Sequence, residues 1–379
     1  MKTRILTVAL ALVLVISLFL AACAAPSPSP SPSPSPSPSP SPSPSPSPSP
    51  SPPPAEEVWK LKMQSNWTGI GNRAYDIATE MYVDHVSTMS GGRIEVTNYD
   101  AEVLLGIGET FTGVADGVAE LSVTSPVYHM GIMPVAMYLW AVPFTIDRME
   151  FAEMIYQQLG GKEIWREAYA EHGVMGLDYQ LSDEWGGMAS TVPISKFSDY
   201  KGLKVRAFGI WADWLVHNGA SIVQVPGGEI YIAIQTGILD AAAFAAPNAW
   251  AGMMIGEVAD YYIDPPIINY DTCEMIMNLE KFNEMPADLQ EIMLISSRIF
   301  ALDFASLLPI EDVKGRQDLK DAGMEFMRMP DSELLEAKAY CMEKFQESAE
   351  IDDYCARWVD VMNEAMELHE AYFGPKRFP

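Results

Sequence analysis

The stretch from Phe197 to Phe244 constrains the fold more than any other, because its hydrophobic period switches back and forth between strand and helix. It reads FSDYKGLKVRAFGIWADWLVHNGASIVQVPGGEIYIAIQTGILDAAAF. Leu203, Val205 and Ala207 alternate with Lys204 and Arg206, the period-two pattern of a strand. Phe208-Gly209 ends that strand, and Trp211 to Gly219 has helical spacing. Ser221 to Val225 is a second apolar strand. Pro226-Gly227-Gly228 then turns the chain into a helix with Ile230, Ala233 and Ile234 on one face and Gly237 as its C-cap. Ile238 to Ala245 is a third apolar run. This alternation predicts an α/β fold and puts Arg206 at the C-terminal end of a strand, the edge where ligands collect in open α/β sheets. A guanidinium there offers a planar fork of donors that fits a carboxylate. The competing role for Arg206 is an ion pair at a strand end.

The second helix of that stretch has a counterpart upstream. Gly108, Glu109, Phe111, Val114, Gly117 and Glu120 recur as Gly228, Glu229, Tyr231, Ile234, Gly237 and Asp240, at a constant offset. Each copy predicts a helix with Glu in its first turn, a Gly C-cap and a following strand. Two related α/β lobes with a ligand cleft between them are the expectation. Strands are expected at Val58–Gln64, Arg93–Tyr99 and Leu121–Thr124, and helices at Asn72–Ser90 and Phe151–His172. From Asp331 to Phe373 one long amphipathic helix, or two, carries a stripe of Cys341, Phe345, Ile351, Cys355, Trp358, Met362, Ala365, His369 and Tyr372. That stripe suits docking onto the body of the protein or a swapped homodimer.

Composition narrows the function. The chain has 379 residues and a formal charge of −27, with no basic patch that would suit nucleic acid. The charge also opposes long-range attraction of an anion, but screening confines that field to roughly 8 Å, so a local Arg dominates inside a cleft. Lys2 and Arg4 precede an apolar run to Leu20, and Ala21-Ala22-Cys23 follows, which reads as a secretory signal. Pro26 to Pro54 is almost pure Ser-Pro repeat, a composition that favours extended polyproline II and a tether. No comparably long apolar segment is expected to span a membrane after the signal. Cys273, Cys341 and Cys355 show no CxxC spacing and are odd in number for a disulfide framework.

The residues KGLKVRAFG, followed by VPGGEIYIAIQTGILDA, resemble the extracytoplasmic solute-binding subunits of TRAP transporters, the DctP family. The branch most similar takes keto acids, mannitol or chloroaromatic compounds, and the resemblance runs from about Trp59 to Met293. It implies a two-lobed, type II periplasmic-binding-protein-like fold with an interlobe cleft and a long C-terminal helix. Lobe I is expected at 55–180 plus 270–330, lobe II at 181–269, and a C-terminal helical segment at 331–379. By resemblance Arg206 binds the substrate carboxylate, and Tyr128 matches a pocket Tyr, with ordinary packing as its alternative. Trp67, Trp185, Trp211 and Phe244 are candidates for aromatic walls. Glu184 stands where relatives carry a polar pocket residue, often Gln, and Glu274 matches a position used for metal or substrate contact. Many relatives place Glu and Trp where this chain has Ala243 and Phe244, and their Glu helps hold a bridging metal. Without it, Glu184 and Glu274 are the remaining candidates for a Na⁺ or Ca²⁺ site; otherwise no cofactor is expected. The LAAC ending at Cys23 resembles a bacterial lipobox, which implies cleavage and lipidation of Cys23 and a membrane contact through the lipid anchor only.

The expected function is capture of a small organic acid outside the cytoplasm and its delivery to TRAP permease subunits in the membrane. Two other classes remain open. An extracellular enzyme lacks support, because GxSxG and HExxH are absent and His85, His129, His172, His217 and His369 are scattered. A sensor lipoprotein on the Ser-Pro stalk would bind ligand but signal to a different partner.

Overall fold

The computed structural model describes residues 57–185 and 187–374, without the side chains of residues 183 to 185. The leader, Cys23 and the Ser-Pro run lie outside the described residues. Ala55–Pro379 is one compact unit.

Two sheets form the two lobes. Strands β1 (Trp59–Ser65), β2 (Ile94–Tyr99), β3 (Leu121–Thr124) and β4 (Val174–Trp185) belong to the first sheet, with β10 (Ile268–Asn278), in the order β2-β1-β3-β10-β4. The second sheet runs β11-β9-β5-β8-β6-β7. Its strands are β5 (Met188–Ser190), β6 (Lys204–Arg206), β7 (Ser221–Ile222), β8 (Ala241–Ala243), β9 (Tyr261–Asp264) and β11 (Glu325–Arg328). β10 lies antiparallel to β3 and β4, while β1 pairs with β2 and β3 in parallel. The inner strands β3, β5 and β8 are buried along their whole length, as strands covered on both faces are. In β10, Cys273, Met275 and Met277 face one core, and Ile276 faces the other.

The repeat is visible in three dimensions. Ile107–Glu109 and Gly227–Glu229 each form a 3-10 turn, followed by helices Thr110–Ala115 and Ile230–Gln235. Gly117 and Gly237 end them with φ of 71° and 72°, a conformation only glycine adopts without strain. β3 and β8 then follow. Glu120 accepts a hydrogen bond from the backbone N–H of Lys62 at 2.7 Å, and Asp240 accepts from that of Lys204 at 2.7 Å. The backbone pattern matches too, with Glu120 N–H donating to Lys62 O and Asp240 N–H to Lys204 O.

Other expectations need correction. The apolar run Ser221–Val225 pairs over Ser221–Ile222 alone. The helix expected over Phe151–His172 is two, Met149–Gln157 and Gly161–Ala170, broken at Gly160 with φ 89°. Lobe I was expected to hold 270–330, yet β11 pairs with β9 in the second sheet. For the C-terminal segment, where one helix or two were open, the structure has two, Asp331–Glu347 and Asp353–Phe373, with Asp352 capping the second through its side chain. Its stripe docks on the body through Cys341, Phe345, Cys355, Trp358, Met362, Ala365 and His369, whereas Ile351 and Tyr372 are exposed.

The longest helix is Ala287–Asp321, apolar and long enough by composition to cross a membrane. It serves instead as a strut, packing on helix Arg73–Met89 and β4 of the first lobe and on helix Pro247–Gly252 of the second. At that last contact Asp312 accepts from both the backbone and side-chain N–H of Asn248, at 3.1 and 2.6 Å. Gly315 permits the approach, since a Cβ there would stand 2.5 Å from the Asn248 nitrogen. Gly315→Ala is therefore expected to cost about 1–3 kcal/mol and lower the melting temperature by roughly 3–10 °C. Gly108→Ala, whose Cβ meets nothing within 4 Å, is the calorimetric control and should leave it unchanged.

Candidate functional site

Arg206 ends β6, and its side chain first does structural work. Its Nε donates to Val225 O at 3.0 Å and its Nη1 to Ala243 O at 2.6 Å. The matching position in the first lobe is Gln64: it pairs with Ser122 on β3 as Arg206 pairs with Ala242 on β8. Gln64 ties down the equivalent loop, its Nε2 donating to Leu105 O and its Oε1 accepting from Leu104 and Leu105 N–H. An amide has little capacity left after those bonds, whereas a guanidinium keeps free donors. The second lobe thus has a loop anchor with donors to spare.

Arg206 is 1% exposed, and among the described residues no carboxylate pairs with it. Its guanidinium carbon lies 4.7 Å from the Phe208 ring centroid and 5.2 Å from that of Phe244, geometry that favours the cation. Burial pulls its pKa below the ordinary value, and the neighbouring Tyr128 opposes that shift. Tyr128 is half-buried, and burial raises its hydroxyl to about 12 despite Arg206. The phenol therefore stays protonated and can donate beside the guanidinium. Trp67 closes the group, with its ring 6.0 Å from Tyr128 and 6.3 Å from Phe244. Gly227 makes room, because a Cβ there would meet the Phe244 ring at 2.6 Å. Trp67 and Tyr128 come from the first lobe, and Arg206, Phe208 and Phe244 from the second. One cation, one phenol and apolar walls converge between the sheets.

Four of the residues named from sequence, Arg206, Tyr128, Trp67 and Phe244, thus stand together. Trp211 does not join them. Helix Gly209–His217 turns it toward Phe197, at 5.6 Å, and into an apolar crevice with Pro265 and Leu334. Glu274 is also elsewhere. Its Oε1 faces His129 Nε2 at 2.6 Å and accepts from the Tyr169 hydroxyl at 3.0 Å, while Oε2 accepts from Trp165 Nε1 at 2.9 Å. All are buried, because this side of β10 faces helix Gly161–Ala170. Glu274 is a structural hub with neither oxygen free for substrate or cation. The side chains of Glu184 and Trp185 lie outside the described residues. Among the described residues, no cluster of three or more His, Cys, Asp or Glu is arranged to hold a metal ion.

Phe208 and Asp271 were missed. Phe208 was read only as the end of a strand, although a ring two residues after a strand-end Arg is placed to stack on it. Asp271 sits inside an apolar run with no local signal. It is 3% exposed, takes the Trp140 Nε1–H on Oδ2 at 3.0 Å, and burial raises its pKa from 3.8 to about 7. Since the folded value is the higher, the folded state keeps a proton that the unfolded chain has lost between those pH values. Stability from this group is full below about pH 4 and is lost as pH rises to about 7, on the order of 4 kcal/mol in all. Asp271→Asn should remove that dependence. Melting curves from pH 4 to 8 should show the variant gaining on the wild type as pH rises.

Known proteins share the family and the fold of this chain. Residues 71–351 match the family of bacterial extracellular solute-binding proteins, family 7, DctP. A monocarboxylate 2-oxoacid-binding periplasmic protein of Nostoc sp. is 28% identical over 217 residues, 57% of this chain and 59% of the relative. The chain thus matches about three-fifths of that relative's length. A TRAP periplasmic solute-binding protein of Pseudoalteromonas atlantica, with bound sodium and pyruvate, superposes with TM-score 0.77 at 21% identity, covering 83% of this chain and 96% of that one. One from Colwellia psychrerythraea, with bound calcium and pyruvate, gives 0.76 at 22%, with the same coverage. At such identities the likeness shows the shared two-lobed fold. The family match covers 281 of the chain's 379 residues, and the chain belongs to the bacterial extracellular solute-binding protein family 7.

Proposed function

We propose that this protein captures a small organic acid between its lobes and delivers it to the membrane subunits of a TRAP transporter. One observation carries the reading: Arg206 is a buried cation without a carboxylate partner among the described residues. A charge held out of water costs several kcal/mol unless it is paired, and a ligand carboxylate supplies the pair. Tyr128 donates beside it, and Trp67, Phe208 and Phe244 exclude water and strengthen the pairing. The relatives with bound pyruvate support a carboxylate ligand. Here the carboxylate is read by Arg206 and Tyr128. The lobes close about the paired strands β4 and β10, which pass from one sheet toward the other.

The rest of the proposal concerns where the protein works. Cys23 is read as lipidated after cleavage, with the Ser-Pro repeat holding the binding unit away from the outer face of the membrane. The C-terminal helices use their apolar stripe on their own body, which supports a monomer. Light scattering giving twice the chain mass would contradict that.

A thermal-shift screen of keto acids, hydroxy acids, dicarboxylates, aromatic acids, amino acids and sugars tests the binding function. An organic acid should raise the melting temperature of the wild type. Arg206→Ala should weaken that acid about 100-fold, near 3 kcal/mol. Arg206→Lys, which keeps the charge but loses the fork, should weaken it at least tenfold. Hits confined to sugars, or acid binding that survives Arg206→Ala, would refute the mechanism.

A further inference from the structure

Beyond Arg206, a second set of buried polar groups lies on the first-lobe side of the cleft. β10 pairs with β3 through Glu274 opposite Thr124, the last residue of β3. Thr272 and Asp271 therefore run on past the carboxyl end of β3. β4 accompanies them, with Gln180 opposite Cys273 and Ser182 opposite Asp271, and the pair continues to Trp185 opposite Ile268, where β4 leads on to the second sheet. Gln180 and Asp271 are thus held at the level between the sheets.

Several polar atoms here have no partner. Gln180, 1% exposed, has both its Nε2 and its Oε1 unbonded, and Asp271, 3% exposed, has Oδ1 unbonded. The Tyr75 hydroxyl, also buried, stands beside Cys273 and Gln180 without a hydrogen bond in proper geometry, and Trp67 Nε1 has none either. Leaving one such group unpaired costs about 1–3 kcal/mol, and most buried polar atoms are paired, so a convergence of four residues marks a place built to receive something polar. It adjoins the Arg206 site. The Trp67 ring lies 5.8 Å from Tyr75 and 6.0 Å from Tyr128. The Tyr128 hydroxyl lies within electrostatic reach of Arg206 and of Asp271.

Building on the Arg206 reading, we propose that Asp271, Gln180 and Tyr75 form a second subsite that takes an N–H or O–H donor at the far end of the ligand. The ligand is then an amino or hydroxy acid rather than a dicarboxylate or an unsubstituted acid. The sign follows from Asp271. Among the described residues no cation pairs with it, and above about pH 7, where Asp271 is ionised, a second ligand carboxylate would face its unbonded oxygen with like charge. An ammonium or hydroxyl donates to that oxygen and to Gln180 Oε1. A hydroxyl oxygen also accepts from Gln180 Nε2 or Trp67 Nε1.

The test is isothermal titration of the full chain with acids of three to five carbons, each compared as the amino, hydroxy, unsubstituted and dicarboxylate form at equal length. The readout is the ratio of affinities between the best donor-bearing acid and its unsubstituted counterpart. The wild type should show a ratio of at least ten. Asp271→Asn combined with Gln180→Met should bring it below three; if that double variant fails to show a native melting transition, Gln180→Met alone should at least halve it. A dicarboxylate or unsubstituted acid binding as well as the donor-bearing one would overturn the subsite, as would a ratio that survives the substitutions. Either result leaves the Arg206 reading intact provided Arg206→Ala still abolishes acid binding. If Arg206→Ala binds every acid as the wild type does, the underlying reading fails instead.

Discussion

A guanidinium cannot be taken out of water without something to replace its hydration, and much of this structure is arranged around that requirement. The Arg206 side chain gives two of its donors to backbone carbonyls of Val225 and Ala243. Its faces meet Phe208 and Phe244. What remains is charge directed at the other lobe. Preorganisation of this kind lowers the cost of binding, since the group is already fixed and already dry.

The internal repeat explains how such a site arises. Both lobes use a long side chain at the end of a strand to fasten the loop that leads into a short helix. In the first lobe Gln64 consumes its amide in doing so. In the second the same task leaves Arg206 with donors to spare. The asymmetry between two similar lobes is therefore chemical rather than architectural. The first lobe contributes Trp67 and Tyr128, and by proposal the polar groups along β4 and β10.

Buried acids divide by what surrounds them. Glu274 is surrounded by three donors, His129, Trp165 and Tyr169, and knits the first lobe together. Asp271, on the same strand, has the Trp140 and Ser182 side chains beside it and keeps an unbonded oxygen. One is a closed network and the other an open one, although both are acids in an apolar strand.

The α/β alternation, the paired lobes, the glycine C-caps and the place of Arg206 at a strand end were legible in the sequence. All of them rest on local periodicity and turn chemistry, which short-range sterics and hydrogen bonding determine. The short pairing of β7 and the entry of β11 into the second sheet were not, because they depend on which edges and faces long-range packing leaves available. The same holds for side chains. Glu274 and Trp211 have the right chemistry for a pocket, but each faces inward from its element, and only the packing of the neighbouring helices decided that. Asp271 and Gln180 carry no local signature at all. Their juxtaposition comes from two antiparallel strands whose residues lie far apart in the chain, so the tertiary pairing alone brought them together.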